Sequence, residues 1–297
     1  MNTLPFTKMH GLGNDFVVID DRDDDRGNAC TGPRGGSLAL TPALAQKICD
    51  RRWGVGADQI LWLKKPHQSG LDVRMEIFNA DGTTAEMCGN GIRAVAIYLR
   101  DHGFTRLGRL QIETLAGVKS VQFVSNQEDQ VEVDMGAPRL GSSLTQDGEE
   151  IRVESGGEVK WHRFYEVSMG NPHAVIFVED LQAVPVQEWG APLEVHPRFP
   201  GRTNVEFVEV VDDHTIRVGV WERGAGITLA CGTGACASAV ASLATGRVKN
   251  PVEVQLPGGS LRISWTGMEP RVGVVKMTGT AATVFKGEYF LGEIATS

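Results

Sequence analysis

The chain has no apolar run long enough to span a bilayer, and residues 1–10 lack the charged and apolar regions of a secretion signal. No membrane association is expected, and a cytoplasmic protein is. Positive charge is also in deficit, with 29 Lys and Arg against 37 Asp and Glu and a net charge of −8. That balance argues against nucleic acid as a partner. Cysteine is scarce: Cys30, Cys49, Cys88, Cys231 and Cys236 make an odd number without C-x-x-C spacing. Neither a disulfide framework nor a zinc ribbon is supported. The acidic stretch after Asp21 lacks the spaced glycine and closing glutamate of a calcium loop. No metal is expected. What is present, 41% hydrophobic and 22% charged residues over 297 positions, is a globular chain long enough for two domains.

Two stretches organise that chain. Residues 87–99 read MCGNGIRAVAIYL, and residues 230–243 read ACGTGACASAVASL. Each runs from Cys-Gly-x-Gly into small and apolar residues at helical spacing, which places Cys88 and Cys231 where a loop becomes a helix. Carried backward at the same offset, residues 73–78 match residues 216–221, two alternating strand-like runs. The chain therefore reads as two related halves, each delivering one thiol to a helix start. The first turn of a helix holds unpartnered N–H groups and a partial positive charge, which favour a thiolate and any carboxylate brought against it. The N–H groups of Gly89, Asn90, Gly232 and Thr233 are the candidate donors. GNGIRA and GTGACA also satisfy a loose dinucleotide fingerprint, but a loop rather than a strand precedes each glycine, which weighs against that reading. Cys236, five residues past Cys231, faces another side of the helix and reads as packing.

In order, residues 6–20 predict two strands about a glycine-rich turn, matched by residues 167–178, so that Gly13-Asn14 corresponds to Gly170-Asn171. Asp21 to Leu40 reads as a solvated loop. Thr41 and Pro42 open a helix that continues to Asp50. A strand entered at Gln59 has its counterpart at Asn204. Residues 110–123 and 252–265 predict hairpins turning at Ala116-Gly117 and Gly258-Gly259. Residues 136–158 are polar and read as the connection between halves. The tail, residues 283–291, is expected to pair back with the first half. The fold class is α+β, two similar domains related by internal duplication, each a mostly antiparallel sheet carrying one principal helix. The boundaries expected are 1–135 plus 279–297 for the domain with Cys88, and 136–278 for the domain with Cys231.

The segments MHGLGNDF, GVGADQ, FNADG, AEMCGNGIR, SMGNPHAV, RTNVEF, ERGAGITLACGTGACA and VQLPGGSL together resemble the diaminopimelate epimerase family over nearly the whole chain. The resemblance implies cofactor-independent interconversion of LL- and meso-2,6-diaminopimelate, in lysine and peptidoglycan biosynthesis, with neither pyridoxal phosphate nor metal. It implies Cys88 and Cys231 as the two acid/base groups, one thiolate and one thiol in each direction. It places Asn14, Gln59, Asn79, Asn171, Asn204, Glu222 and Arg223 around the substrate, and assigns His173 and Glu222 to tuning the thiols. It also implies a homodimer, and a fold of two similar domains, each a mostly antiparallel sheet wrapped around a central helix. The insertion at residues 21–40 and Thr280, where many members have proline, depart from the family pattern. The competing readings are a proline or hydroxyproline racemase, against which Arg223 with Asn79 and Asn204 argues, and a thiol redox protein, which needs Cys88 and Cys231 to form a disulfide.

Overall fold

A computed structural model of the chain describes residues 3–22, 40–104, 108–125, 129–145, 147–155, 157–267 and 273–291. Apart from its ends, the loop expected between Asp21 and Leu40, with Cys30, lies outside the described residues. The chain divides into two compact units, Met1–Val133 with Thr280–Ser297, and Asp134–Gly279.

The first unit begins with β1 (Thr3–Gly11) and β2 (Asn14–Asp20), antiparallel across a turn in which Leu12 and Gly13 have positive φ. Helix α1 (Pro42–Cys49) follows; Thr41 caps it by accepting from the Leu44 N–H, and Pro42 sits where a missing N–H costs nothing. Next come β3 (Gln59–Lys64), β4 (Val73–Asn79) and a two-residue β5 (Thr84–Ala85) folded back on β4. Helix α2 (Gly89–Asp101) leads to β6 (Arg109–Thr114), β7 (Gly117–Phe123) and β8 (Gln130–Gly136).

The second unit repeats this plan. It comprises β9 (Arg139–Leu140), β10 (Glu149–Ser155), β11 (Glu158–Ser168), β12 (Pro172–Val178), α3 (Val186–Glu194), β13 (Asn204–Asp212) and β14 (Thr215–Glu222). Then follow β15 (Gly226–Ile227), α4 (Gly232–Ala244), β16 (Val252–Leu256), β17 (Gly259–Trp265) and β18 (Val275–Thr280). The final strand, β19 (Ala282–Phe290), pairs antiparallel with β1 and belongs to the first unit, as the tail was expected to do.

The ladders show the duplication at the level of register. In the first unit β2 and β3 are parallel, β3 and β4 antiparallel, β4 and β6 parallel, and β6 and β7 antiparallel. In the second, β12 and β13 are parallel, β13 and β14 antiparallel, β14 and β16 parallel, and β16 and β17 antiparallel. Phe16 faces Gln59 in one unit and His173 faces Asn204 in the other. Each sheet curls about its long helix. Strands β1, β2, β7 and β19 touch α2, and β11, β12, β13, β14, β16 and β17 touch α4. Both helices are buried along nearly their whole length. The glycine, alanine and serine residues of α4 keep it thin enough for strands to pack on several sides.

Two expectations need correction, and one helix was not foreseen. Residues 136–158 are not a connection, because β10 lies in them and pairs along its length with β11. Ile151 and Val153 are buried while Arg152 and Glu154 face outward, a period-two pattern hidden by the polar composition. The hairpin turns also fall one residue earlier than expected. Thr114 pairs with Gly117 and Leu256 with Gly259, so Leu115-Ala116 and Pro257-Gly258 make the turns. Helix α3 was not anticipated, since Gly190 and Pro192 within it are poor helix formers. Gly190 is there for closeness, because a Cβ added to it would lie 2.5 Å from the Cβ of Trp221. No described helix is long and apolar enough to cross a membrane.

Candidate active site

Cys88 and Cys231 occupy the same position in their units, the residue immediately before the long helix. Each is the N-cap, with extended backbone at φ −134° and φ −111°. Each sulfur accepts a hydrogen bond from the third N–H of its helix, Gly91 N at 3.3 Å and Gly234 N at 3.4 Å. Sulfur here replaces the oxygen that usually caps a helix, and the dipole and N–H donors there favour its anionic form. Glycine at the capping N–H is a packing requirement. A Cβ on Gly91 would lie 3.0 Å from Leu61 Cδ2 and 3.4 Å from Cys88 Sγ, and one on Gly234 would lie 2.7 Å from Glu206 Oε1 and 3.3 Å from Cys231 Sγ.

In the first unit, half-buried Cys88 lies 3.7 Å from Asn14 Oδ1, which also accepts from Asn90 Nδ2 at 3.3 Å. Asn14 is turned that way because its Nδ2 donates to Asp58 Oδ2 at 2.9 Å. Behind it stands a charged cluster in which Arg51 bridges Asp15 and Asp58, and Lys8 binds Asp15 and the Gly56 carbonyl. Burial pushes the Asp15 carboxyl up, but hydrogen bonds from Arg51 and Lys8 more than offset this and hold it well below the usual carboxylate range. Gln59 Nε2 donates to Asn79 Oδ1 at 2.8 Å across the β3–β4 ladder. Asn14 opens β2, Gln59 opens β3 and Asn79 closes β4, so strand direction brings all three to one end of the sheet.

Arg93 was not foreseen as a site residue. Fully buried in α2, it donates to the Gly89 carbonyl, to Asn90 Oδ1 at 2.9 Å and to the Thr280 carbonyl, and so ties down the helix start that carries Cys88. Its match in α4 is Cys236, also fully buried.

The second unit has a hydrogen-bonded chain of side chains. Glu206 Oε1 lies 2.7 Å from His173 Nδ1, and His173 Nε2 lies 3.0 Å from Asn171 Oδ1. Asn171 Nδ2 donates to Thr233 Oγ1 at 3.3 Å, and that hydroxyl lies 3.5 Å from Cys231 Sγ. Glu206 and His173 are fully buried. Burial pushes the Cys231 thiol up, reinforced by the charges of Glu222 and Glu206, while hydrogen bonds from Thr233 and Gly234 act in the opposite sense. Asn204 donates to the Pro172 carbonyl and accepts the Arg223 backbone N–H at 2.9 Å. The exposed Arg223 side chain donates through Nη1 to the Gly201 carbonyl at 3.2 Å. Asn171 precedes β12, Asn204 opens β13 and Glu222 closes β14, the same sheet end as in the first unit.

The residues predicted from sequence thus assemble as two clusters, Asn14, Gln59, Asn79, Cys88, Gly89 and Asn90 in one unit, and Asn171, His173, Asn204, Glu222, Arg223, Cys231, Gly232 and Thr233 in the other. Glu206 was missed; its only signal in the sequence is an acidic residue inside the apolar strand NVEFVEV. Among the described residues, no three His, Cys, Asp or Glu side chains gather as metal ligands.

Comparison with known sequences gives one family. The family described as diaminopimelate epimerase matches residues 6–141 and 165–284. A diaminopimelate epimerase of Pelotomaculum thermopropionicum is 48% identical over 295 residues, covering 96% of this chain and 99% of that one. One from Carboxydothermus hydrogenoformans is 47% identical, covering 97% of this chain and 100% of its own. Among solved structures, a hydroxyproline epimerase from Agrobacterium vitis superposes with a TM-score of 0.71 at 18% identity, over 99% of this chain and 94% of that one. A phenazine biosynthesis protein from Bacillus anthracis gives 0.71 at 15% identity, over 98% of this chain and 100% of that one. At such identities the structural likeness shows the fold alone.

Proposed function

Because the chain belongs to the diaminopimelate epimerase family, an isomerase family, we propose that it interconverts LL- and meso-2,6-diaminopimelate by a two-thiol mechanism. The observation that carries this reading is the thiol at the N-cap of a buried helix in each of two duplicated units. Inverting an α-carbon requires removing its proton from one face and supplying a proton to the other, so two acid/base groups are needed. In one direction the Cys88 thiolate takes the α-proton and becomes a thiol, and the Cys231 thiol gives its proton to the opposite face and becomes a thiolate. The reverse direction exchanges these roles.

The negative charge that develops on the α-carbon spreads into its carboxylate. Donors at the helix starts, from Gly89, Asn90, Gly232 and Thr233, stabilise it more in the transition state than in the ground state. Arg223 supplies a guanidinium for the distal carboxylate, Glu222 an acceptor for an ammonium group, and Asn14, Gln59, Asn79, Asn171 and Asn204 orient the rest. Neither pyridoxal phosphate nor metal enters this chemistry, and the protein acts as a homodimer in the cytoplasm.

The test is to incubate the reduced, dialysed protein with LL-diaminopimelate and separate the stereoisomers. Formation of the meso isomer without added cofactor is expected. Failure to form it, or a visible absorbance band from bound pyridoxal phosphate in active protein, contradicts the proposal. Racemisation of proline in the same assay would favour the competing substrate class.

A further inference from the structure

The duplication allows each thiol to be compared with its counterpart, and the floors beneath them differ. In the first unit, the strand residue packed against Gly91 of the helix start is Leu61, with Phe16 on the neighbouring strand. The ladders place Glu206 at the position of Leu61 and His173 at that of Phe16. All four side chains are fully buried. One unit thus lays its catalytic helix on hydrocarbon, and the other lays it on a carboxylate and an imidazole.

Replacing hydrocarbon by a buried carboxylate is costly unless the charge is held and used. Glu206 is held by one oxygen, on His173, while its second oxygen, Oε2, is buried without a hydrogen-bond partner. The same side chain lies against the helix start that carries Cys231: the Cβ position of Gly234 is 2.7 Å from Oε1 and 3.3 Å from Sγ. His173 is linked to the sulfur through Asn171 and Thr233. The Glu206 carboxylate thus borders the helix start itself, and Coulomb repulsion opposes a thiolate there. Glu222, at the end of β14, acts on Cys231 in the same sense and more strongly, which is why it is left unchanged in the test below. No carboxylate replaces Leu61 beneath Cys88.

Resting on the two-thiol reading, we propose that Glu206, held by His173, is a positioning residue that keeps the working proton of the cysteine pair on Cys231, leaving Cys88 as the base in the free protein. The structural duplication supplies two thiols, and this substitution on the floor makes them unequal.

The experiment reads Cys231 directly, in the full-length Cys88→Ala protein with Glu222 retained. Alkylation by iodoacetamide is followed against pH by mass spectrometry of the peptide containing Cys231. Glu206→Gln, which keeps shape and removes charge, is expected to lower the midpoint by about one pH unit, so that labelling below both midpoints is roughly tenfold faster. Should that variant fail to fold, Glu206→Leu, which installs the residue of the matching position, serves the same measurement. In protein retaining both cysteines, substoichiometric iodoacetamide should label Cys88 first, and Glu206→Gln should move label toward Cys231. A midpoint that stays in place or rises, even if labelling changes by one factor at every pH, would overturn the proposal, since that is what a purely structural side chain would do. Labelling needs no turnover. A parent protein that forms no meso isomer would therefore count against the function proposed above and leave this measurement to decide the role of Glu206.

Discussion

Arg223 uses its backbone N–H to fix Asn204 and leaves its guanidinium exposed at the sheet end. A planar fork suits bidentate contact with a carboxylate, and lysine keeps the charge without the fork. Arg223→Lys should lower kcat/KM on diaminopimelate by on the order of tenfold or more, from ~1.5–3 kcal/mol for a charge-assisted hydrogen bond. An unchanged value would remove Arg223 from the substrate. Arg93 is the complementary case, a buried cation that orders the Cys88 helix start. Arg93→Met leaves the Gly89 and Thr280 carbonyls and Asn90 without that donor, and should cost ~2–5 kcal/mol in urea unfolding. A loss below about 1 kcal/mol would show that other donors replace it. These two arginines also mark how far single residues can be read from sequence. Cys88, Cys231 and the amides are legible because they recur beside glycines in paired segments. Arg93 and Glu206 have no such repeat, since Cys236 and Leu61 stand at the matching places. Their roles depend on which strand or helix lies opposite, information that exists only once the chain is folded.

At the level of elements, the sheet of the first unit is completed by β19, whereas the matching place beside β11 is filled by β10. The tail was legible by its alternation. Strand β10 was not, because its buried Ile151 and Val153 are outnumbered by charged neighbours. Truncation after Thr280 would strip β1 of one hydrogen-bonded edge and remove Tyr289 and Leu291 from the cluster around Leu4 and Ile19. Aggregation of the truncated protein is expected, and soluble monodisperse material in size-exclusion chromatography would contradict it. Strand β11 carries a pH-sensitive residue. Burial and the nearby Lys160 push His162 down to about 4, its ring packs on Trp189, and Nε2 is buried without a hydrogen-bond partner. The unfolded chain takes up this proton near the ordinary value of about 6.5 and the folded chain does not. Stability is therefore intact above about 6.5 and falls as pH drops toward 4, by roughly 3 kcal/mol in all. Thermal unfolding at pH 7, 5.5 and 4.5 should show this fall, reduced in His162→Phe; an equal fall in both proteins would assign it to other groups.

For the molecule as a whole, the duplication was legible from two short motifs, because a helix start bearing cysteine and glycine is a chemical requirement as well as a structural one. The asymmetry within it was not legible, being carried by strand residues whose partners are set by register. Saturating diaminopimelate should slow alkylation of both Cys88 and Cys231, since the proposed mechanism has each meet the α-carbon. Buried Cys49, whose thiol burial pushes up to about 11, should label slowly with or without substrate. The most direct test of the two-thiol account is hydrogen exchange at that carbon. The reduced parent protein, Cys88→Ala and Cys231→Ala are each incubated with LL-diaminopimelate in deuterium oxide, and the α-proton signal and the meso isomer are followed together. The parent should lose the α-proton signal as deuterated meso isomer forms, and each variant, with circular dichroism unchanged, should form none. Full turnover by either variant would contradict the mechanism.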